Sequence, residues 1–146
     1  MNVEIVVDPK YSEPKVVIYT DNVSNDISNL VNQIKNSNMF SLHGFLDDKL
    51  YILDLQDIYL FYSENGKVYA KTSDNNYNVK YKLYELENML TNKNFIRISN
   101  SEIINLKKVK NLDFAFFGTI KINFLNGTYT YASRRFIKKI KEYLNL

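Results

Sequence analysis

The chain has 146 residues, of which 45% are hydrophobic and 14% aromatic, which is enough apolar surface for the core of one ordinary domain. It has no cysteine and a single histidine, so it has no disulfide framework, cannot alone assemble the common zinc and iron sites, and is expected to use no cofactor. Nothing at the start resembles a signal peptide and no stretch approaches the roughly 18 apolar residues of a membrane span, so a cytoplasmic location is expected.

The net charge of +3 is unevenly distributed along the chain. Residues 1–66 carry four lysines against ten carboxylates, a balance of −6, whereas residues 67–146 carry fifteen lysines and arginines against six carboxylates, a balance of +9. Neutralising phosphates and releasing their counterions supplies much of the affinity of nucleic-acid binders, so the basic part favours a polyanionic partner. A solvated surface that is simply rich in lysine is the alternative.

The first 40 residues predict a small β-β-α unit. Two β-branched runs, Val3–Val7 and Val16–Tyr19, are separated by the only prolines of the chain and predict two strands joined by a rigid turn. A helix should follow, capped by Asn22 or Ser24 and ending near Lys35, because apolar residues recur there at helical spacing. A unit of this size cannot hold a core alone and must pack on something.

Residues 41–146 predict a mostly β fold, α+β overall, built from short strands. The predicted strands are Leu42–Leu46, Leu50–Leu53, Ile58–Tyr62, Val68–Thr72, Tyr77–Tyr81, Leu112–Phe117, Thr119–Phe124 and Thr128–Ala132. One short helix is predicted over 84–91, a turn at Gly118, and the interval 95–110 should be irregular with short extended pieces. Asn65-Gly66 and Asn126-Gly127 predict type I′ hairpin turns, because both central residues of such a turn need positive φ.

A last helix is predicted from Arg134 to about Leu144, with Ser133 as its cap. Five of the eight residues 134–141 are basic, and the apolar residues of the helix fall on one stripe. Basic side chains should therefore face outward, with Arg134, Lys138 and Lys141 in line and Arg135 and Lys139 beside them. Taken alone, the pattern is also typical of an amphipathic surface helix whose lysines complement the helix dipole.

Two further groups of residues admit both functional and structural interpretations. Ser99-Asn100-Ser101 could pair with adenine through the amide and bind phosphate through the hydroxyls, or simply cap a turn. Strand tyrosines could stack on single-stranded bases or lie half-buried at the edge of the core, and they are Tyr59, Tyr62, Tyr69, Tyr77, Tyr81, Tyr84, Tyr129 and Tyr131.

The only histidine, His43, lies near several carboxylates in sequence: Asp47, Asp48, Asp54 and Asp57. An acid/base cluster is conceivable, but the chain has no recognisable nucleophile motif, P-loop or dinucleotide-binding glycine pattern. These carboxylates are therefore predicted to be turn and cap residues, and the chain is not expected to be an enzyme.

Four segments in the same order and spacing resemble the LytTR family of bacterial DNA-binding domains. They are Asp57–Ser63, Tyr81–Glu87 with Leu90, Phe95–Leu106, and Gly127 followed by Ser133–Phe136 and Lys138–Ile140, within a match from about Leu42 to Leu146. The resemblance implies an elongated, mostly antiparallel β domain with a C-terminal helix and without helix-turn-helix geometry. It also implies that loops enter successive major grooves of a repeat site in a bent duplex.

The resemblance further assigns roles to individual residues. Asn100 and Arg135 look like the base-reading pair, and Lys67 falls at a third reading position, in the first hairpin, where relatives can have a histidine. Phosphate contacts are expected from residues of the loop, of the strand before the last helix and of that helix: Ser101, Tyr131, Ser133, Arg134, Lys138 and Lys139.

The resulting expectation is a stand-alone, response-regulator-like transcription regulator that binds duplex DNA as a homodimer or as two copies on repeated half-sites. Only about 40 residues precede the matching part, against roughly 120 for a receiver domain, so phosphorelay control from within the chain is not expected. The N-terminal unit is predicted to serve dimerisation or docking, and its acidic balance should keep it away from DNA.

Three rival functions remain open at this level. The first is a single-strand or RNA binder that uses the strand tyrosines, and the second is a protein-interaction module whose basic helix meets an acidic partner. The third is a hydrolase, which would need His43 in a pocket beside a carboxylate.

Overall fold

The structure is a computed structural model that describes residues 1–36, 41–115 and 118–146. The chain divides into two compact units, Met1–Met39 and Phe40–Leu146. The first unit contains helix α1 (Asn25–Asn36). Ser24 caps this helix as predicted, because its hydroxyl accepts a hydrogen bond from the amide of Ile27 at 3.3 Å.

The two predicted N-terminal strands are not present. The structure contains no strand within residues 1–36, and the side chains of the two β-branched runs are largely exposed, with Val3 at 80%, Val7 at 90% and Tyr19 at 93%. The prediction was wrong because β-branched residues favour strands only where packing covers them, and an isolated hairpin is marginal in water. The unit is therefore an irregular segment followed by a helix.

The second unit is mostly β, as predicted. Its described residues form ten strands and two helices: β1 (Leu42–Leu46), β2 (Lys49–Leu53), β3 (Leu60–Glu64), β4 (Lys67–Lys71), β5 (Asn76–Val79), α2 (Leu83–Met89), β6 (Phe95–Arg97), β7 (Glu102–Asn105), β8 (Val109–Asp113), β9 (Ile120–Phe124), β10 (Tyr129–Ala132) and α3 (Arg134–Tyr143). Strands β1–β7 form one sheet in the order β2-β1-β5-β4-β3-β7-β6, and β8–β10 form a second in the order β10-β9-β8. Every pairing is antiparallel.

Several element boundaries differ from the sequence prediction. The interval 95–110 contains two regular strands, β6 and β7, which are too short for their alternation to stand out in the sequence. The predicted strand Leu112–Phe117 begins earlier, at Val109, and its last two residues lie outside the described residues.

One of the two predicted type I′ turns is confirmed. Asn65 and Gly66 have φ values of 52° and 77°, so both central residues of the β3–β4 turn are left-handed. The second prediction was wrong, because in Asn126-Gly127 only the glycine has positive φ, at 85°. The Asn126 side chain instead accepts hydrogen bonds from the amide and hydroxyl of Thr128, which favours a three-residue loop with glycine last.

The carboxylates near His43 are turn and cap residues, as predicted. Asp47 and Asp48 have φ values of 49° and 64° and form the tight turn between β1 and β2. Asp54 caps a 3-10 turn, Leu55–Asp57, by accepting a hydrogen bond from the amide of Gln56 at 2.9 Å.

The centre of the large sheet is buried on both faces. Successive strand residues point to opposite faces, so Ile103 packs in one hydrophobic cluster and Ile104 in another. The first cluster lies under α2 and includes Leu83, Leu86 and Leu90. The second joins the large sheet to the small sheet and α3, with buried residues that include Ile98, Ile120, Ile122, Phe124 and Ile140. The β6–β7 loop and α3 are therefore anchored to one core.

Asn105 is buried at the end of β7, with 2% of its surface exposed. Its side-chain amide donates to the carbonyl of Ile58 at 2.9 Å, and its side-chain oxygen accepts from the amide of Lys107 at 3.0 Å. These bonds hold the 3-10 turn before β3 and the turn after β7 against each other.

We predict that Asn105→Ala lowers the free energy of unfolding by about 1–3 kcal/mol, because the carbonyl of Ile58 loses its buried donor. Urea denaturation measures the change. The matched control is Asn88→Ala at an exposed position of α2, which should change stability by less than about 0.5 kcal/mol. Equal losses for the two variants would contradict a structural role for the Asn105 amide.

Candidate nucleic-acid interface

The loop between β6 and β7 contains the predicted reading residue Asn100, and Arg97 determines its shape. The Arg97 guanidinium donates to the backbone carbonyls of Ser99 at 2.7 Å and Asn100 at 2.6 Å. Buried Ile98 anchors the start of the loop, while Asn100 and Ser101 are exposed. Arg97 therefore holds the loop through two of its backbone carbonyls, and Asn100 remains exposed at the surface.

Two backbone hydrogen bonds connect this loop to the other elements that carry predicted reading residues. The amide of Ser133, just before α3, donates to the carbonyl of Ile98 at 2.9 Å. The amide of Ser63, near the end of β3, donates to the carbonyl of Ser101 at 2.9 Å. The loop with Asn100 thus lies between the start of α3, which carries Arg135, and the hairpin that carries Lys67.

The first turn of α3 is unusually basic. It begins with Arg134 and Arg135 and contains no acidic residue, although the helix dipole makes positive charge unfavourable at this end. Ser133 occupies the cap position, as predicted, but its side chain makes no capping hydrogen bond. Two guanidinium groups at the amino end of a helix favour binding of an anion.

The outward cations of α3 are arranged largely as predicted. Arg134, Lys138 and Lys141 line one open depression of about 820 Å³, with Ile137 and Leu146 as its apolar part. The Arg134 guanidinium lies against Gly118, where an added Cβ would come within 2.8 Å of its Nε atom. Gly118 has φ of +72° and forms the predicted turn before β9.

Lys139 differs from the other cations of α3 because it is ion-paired with a carboxylate of another helix. Its ammonium lies 2.5 Å from one carboxylate oxygen of Glu87 in α2, and the other oxygen of Glu87 lies 3.1 Å from the Arg97 guanidinium. Sequence reasoning did not identify Glu87, since its neighbours Arg97 and Lys139 are 10 and 52 residues away. This pairing weighs against a phosphate contact by Lys139.

The environment of Glu87 shifts its titration. Burial raises the pKa of the carboxyl, but the hydrogen bonds and positive charges of Lys139 and Arg97 outweigh burial, so the pKa of Glu87 lies below that of an ordinary glutamate. The charged form is therefore the one that the fold stabilises.

Strand β10 and its neighbours complete the surface. The Thr130 hydroxyl donates to Glu102 of β7 at 2.5 Å, and the Thr119 hydroxyl donates to the carbonyl of Ala132. Tyr131 is 42% exposed, and its ring lies edge-on to that of Tyr129 at 5.7 Å. The bond between Thr130 and Glu102 attaches the strand that leads into α3 to β7.

The described contacts of His43 do not favour the hydrolase interpretation, which needs this ring beside a carboxylate. His43 is exposed, and its ring nitrogen lies 3.2 Å from the Ser41 hydroxyl. Within residues 1–36, 41–115 and 118–146, no group of three or more histidine and carboxylate side chains could hold a metal. No helix of these residues has both the length and the apolar character to cross a membrane.

Several strand tyrosines contact other aromatic rings. Tyr62 stacks on Tyr69 at 5.3 Å, and Tyr59 meets Phe124 edge-on at 5.9 Å. Burial, followed by the charges of Glu64 and Tyr69, raises the pKa of Tyr62. These rings are half-buried, so they are poor platforms for unpaired bases.

Residues 48–145 match the family model of the LytTr DNA-binding domain, and the chain belongs to this family. The resemblance drawn from the sequence is confirmed. A solved structure of the LytTr DNA-binding domain of a putative methyl-accepting/DNA response regulator from Bacillus cereus has the same fold. Its TM-score is 0.69 and its sequence identity 20%, over 73% of this chain and 99% of that chain.

Curated relatives match along the whole chain. Two Staphylococcus aureus proteins, from strains MSSA476 and MW2, are each 31% identical over 100% of this chain and 99% of their own length. A protein from the bovine strain RF122 is 30% identical over the same shares. Each is described as an uncharacterized HTH-type transcriptional regulator. In the described part of this chain, however, no two helices follow one another directly, as they would in a helix-turn-helix, because several strands separate each helix from the next.

We predict that Glu87→Gln destabilises the protein at neutral pH and that the difference from wild type shrinks on acidification. The folded-state pKa of Glu87 lies below the unfolded one, so its contribution is complete above about pH 4.5 and is lost as the pH falls through the folded value. Urea denaturation between about pH 3 and 7 measures this difference.

Glu142→Gln is the matched control, because it removes the same charge from an exposed position. The Glu142 carboxylate lies 4.0 Å from the ammonium of Lys138. The substitution should have little effect on stability at either end of the range. A stability difference for Glu87→Gln that does not vary with pH would rule out the charged Glu87 network as its source.

Proposed function

We propose that the chain is a cytoplasmic transcription regulator that reads double-stranded DNA through the β6–β7 loop, the start of α3 and the β3–β4 hairpin. In this proposal the loop and the helix start enter successive major grooves of a repeat site, and the duplex bends to admit them. Family membership and the relatives' description as transcriptional regulators support the general function. The observation that supports this surface most directly is the pair of backbone hydrogen bonds that joins its three elements.

In this proposal, three exposed residues contact the edges of the bases. The Asn100 amide suits the N6 and N7 edge of adenine, and the Arg135 guanidinium can form two bonds to guanine O6 and N7. Arg135 is exposed, with its guanidinium carbon 5.9 Å from the centre of the Phe136 ring. Lys67, exposed at the base of the Asn65-Gly66 turn, can donate to a base acceptor at a third position.

Phosphate contacts would fix the register of the protein on the duplex. Ser101, Tyr131, Ser133, Arg134 and Lys138 are partly or fully exposed on the loop, on β10 or on α3. Lys139 is the weakest candidate of the predicted set because Glu87 already neutralises it.

Arg135→Ala should weaken binding to the preferred duplex by about 1–3 kcal/mol and relax base choice at one position, since a two-bond base contact is lost. The preferred duplex is first obtained by selecting bound fragments from random duplex DNA. Lys138→Ala should weaken binding to all duplexes alike and flatten the salt dependence by about one unit.

The control for this experiment is Lys49→Ala, a lysine on the edge strand β2, which should leave affinity and salt dependence almost unchanged. Unchanged base preference in Arg135→Ala would refute the assigned reading residue. Tighter binding to the matching single strands than to the duplex would favour a single-strand binder instead.

We also propose that two copies bind together and that the N-terminal segment joins them. Ten large apolar side chains between Met1 and Val23 are more than half exposed, and within the described residues no buried hydrophobic residue precedes Leu42. Each partner of a standard stable complex buries about 800 Å², and in this proposal these side chains supply the apolar part of that area.

Ile5→Asp should therefore shift the protein toward the monomer and weaken binding to a duplex with two half-sites more than to a duplex with one. Sedimentation velocity and titration of both duplexes measure these effects. Lys10→Ala, an exposed change in the same segment, is the control. A monomeric wild-type protein that binds the two half-sites independently would contradict joining by this segment.

A further inference from the structure

Glu87 lies where three elements of the second unit meet. One of its carboxylate oxygens lies 3.1 Å from Arg97 at the end of β6, and the other lies 2.5 Å from Lys139 in α3. Helix α2 itself is held by Leu83, Leu86 and Leu90, which are buried against the large sheet. The carboxylate is therefore a fixed point between the β6–β7 loop and α3.

The link from Glu87 continues into the loop through Arg97. While one guanidinium nitrogen binds Glu87, the other two donate to the carbonyls of Ser99 and Asn100. The Arg97 side chain is 14% exposed, so these charged hydrogen bonds are partly shielded from water and are stronger than those of a surface pair. Moving Glu87 would therefore move the backbone that carries Asn100.

Glu87 also controls a charge that would otherwise be available to DNA. Lys139 is about half exposed and follows Lys138 on α3. An unpaired lysine at this place would add a contact to phosphates that carries no sequence information. While it is paired with Glu87, Lys139 stabilises the contact between α2 and α3 and adds no sequence-independent affinity for DNA.

We propose that Glu87 is a positioning residue for DNA recognition: it holds the Asn100 loop and the Arg135 helix in a common geometry and keeps Lys139 from phosphates. Both effects raise the preference for the specific site over other DNA. This inference rests on the function proposed above, and it adds a residue that itself touches no DNA.

The test compares four proteins on two duplexes of equal length, one selected from random DNA by the wild-type protein and one with its sequence scrambled. The proteins are wild type, Glu87→Gln, Glu87→Gln with Lys139→Gln, and the control Glu142→Gln. Affinity for each duplex is measured across a range of salt concentrations.

For Glu87→Gln, the ratio of specific to scrambled affinity should fall about tenfold, in the range of coupling between contacting residues. Its salt dependence on the scrambled duplex should steepen by about one unit, because Lys139 becomes free to neutralise a phosphate. Adding Lys139→Gln should restore the wild-type salt dependence but only part of the lost ratio, because the loop is still not held in place. Glu142→Gln removes the same charge and should change both affinities by similar factors.

A second measurement does not depend on DNA. In the free protein, the amide resonances of Ser99–Ser101 and of Ser133–Arg135 should shift together in Glu87→Gln and stay in place in Glu142→Gln. An unchanged affinity ratio together with unshifted resonances would overturn the positioning role. A wild-type protein with no preference for any duplex would overturn the proposed function instead, so the two failures are distinguishable.

Discussion

Burial of both faces of the central strands is the constraint on which the candidate interface depends. Because neighbouring residues of β7 point to opposite sides, one face must be covered by α2 and the other by the small sheet and α3. This sandwich brings α2 and α3 to the two sides of β6. The loop that follows β6 is consequently bracketed by elements that are distant in sequence, and its backbone bonds to both Ser133 and Ser63.

The arrangement of charge follows from the same packing. The basic residues of the second unit fall into two groups. Some, such as Arg135, have their charge exposed, and others, such as Arg97, are paired with a carboxylate within the fold. One carboxylate, Glu87, accounts for two cations of the second group. The count of fifteen lysines and arginines in residues 67–146 therefore overstates the number of cations that could each meet a separate phosphate, since Glu87 already pairs with two of them.

The N-terminal unit shows where local patterns fail. Val3–Val7 has the composition of a strand, but strand propensity reflects packing on a pleated surface, and nothing within the described residues 1–36 forms such a surface. Asn126-Gly127 failed as a type I′ turn for a related reason. The Asn126 side chain found a local partner in Thr128, and this competed with the left-handed conformation that the dipeptide permits.

The sequence by itself determined the family, the mostly β architecture, the helix that starts after Ser133 and the loop that carries Asn100, because alternation, turn residues and motif order are local properties of the chain. Only the tertiary structure decided which cations are paired and which loop lies against which helix. Glu87 shares no sequence pattern with Lys139, 52 residues away, and they meet because α2 packs on one face of β6 and α3 on the other. Such long-range contacts depend on how the whole domain packs, and no short segment of the sequence encodes that packing.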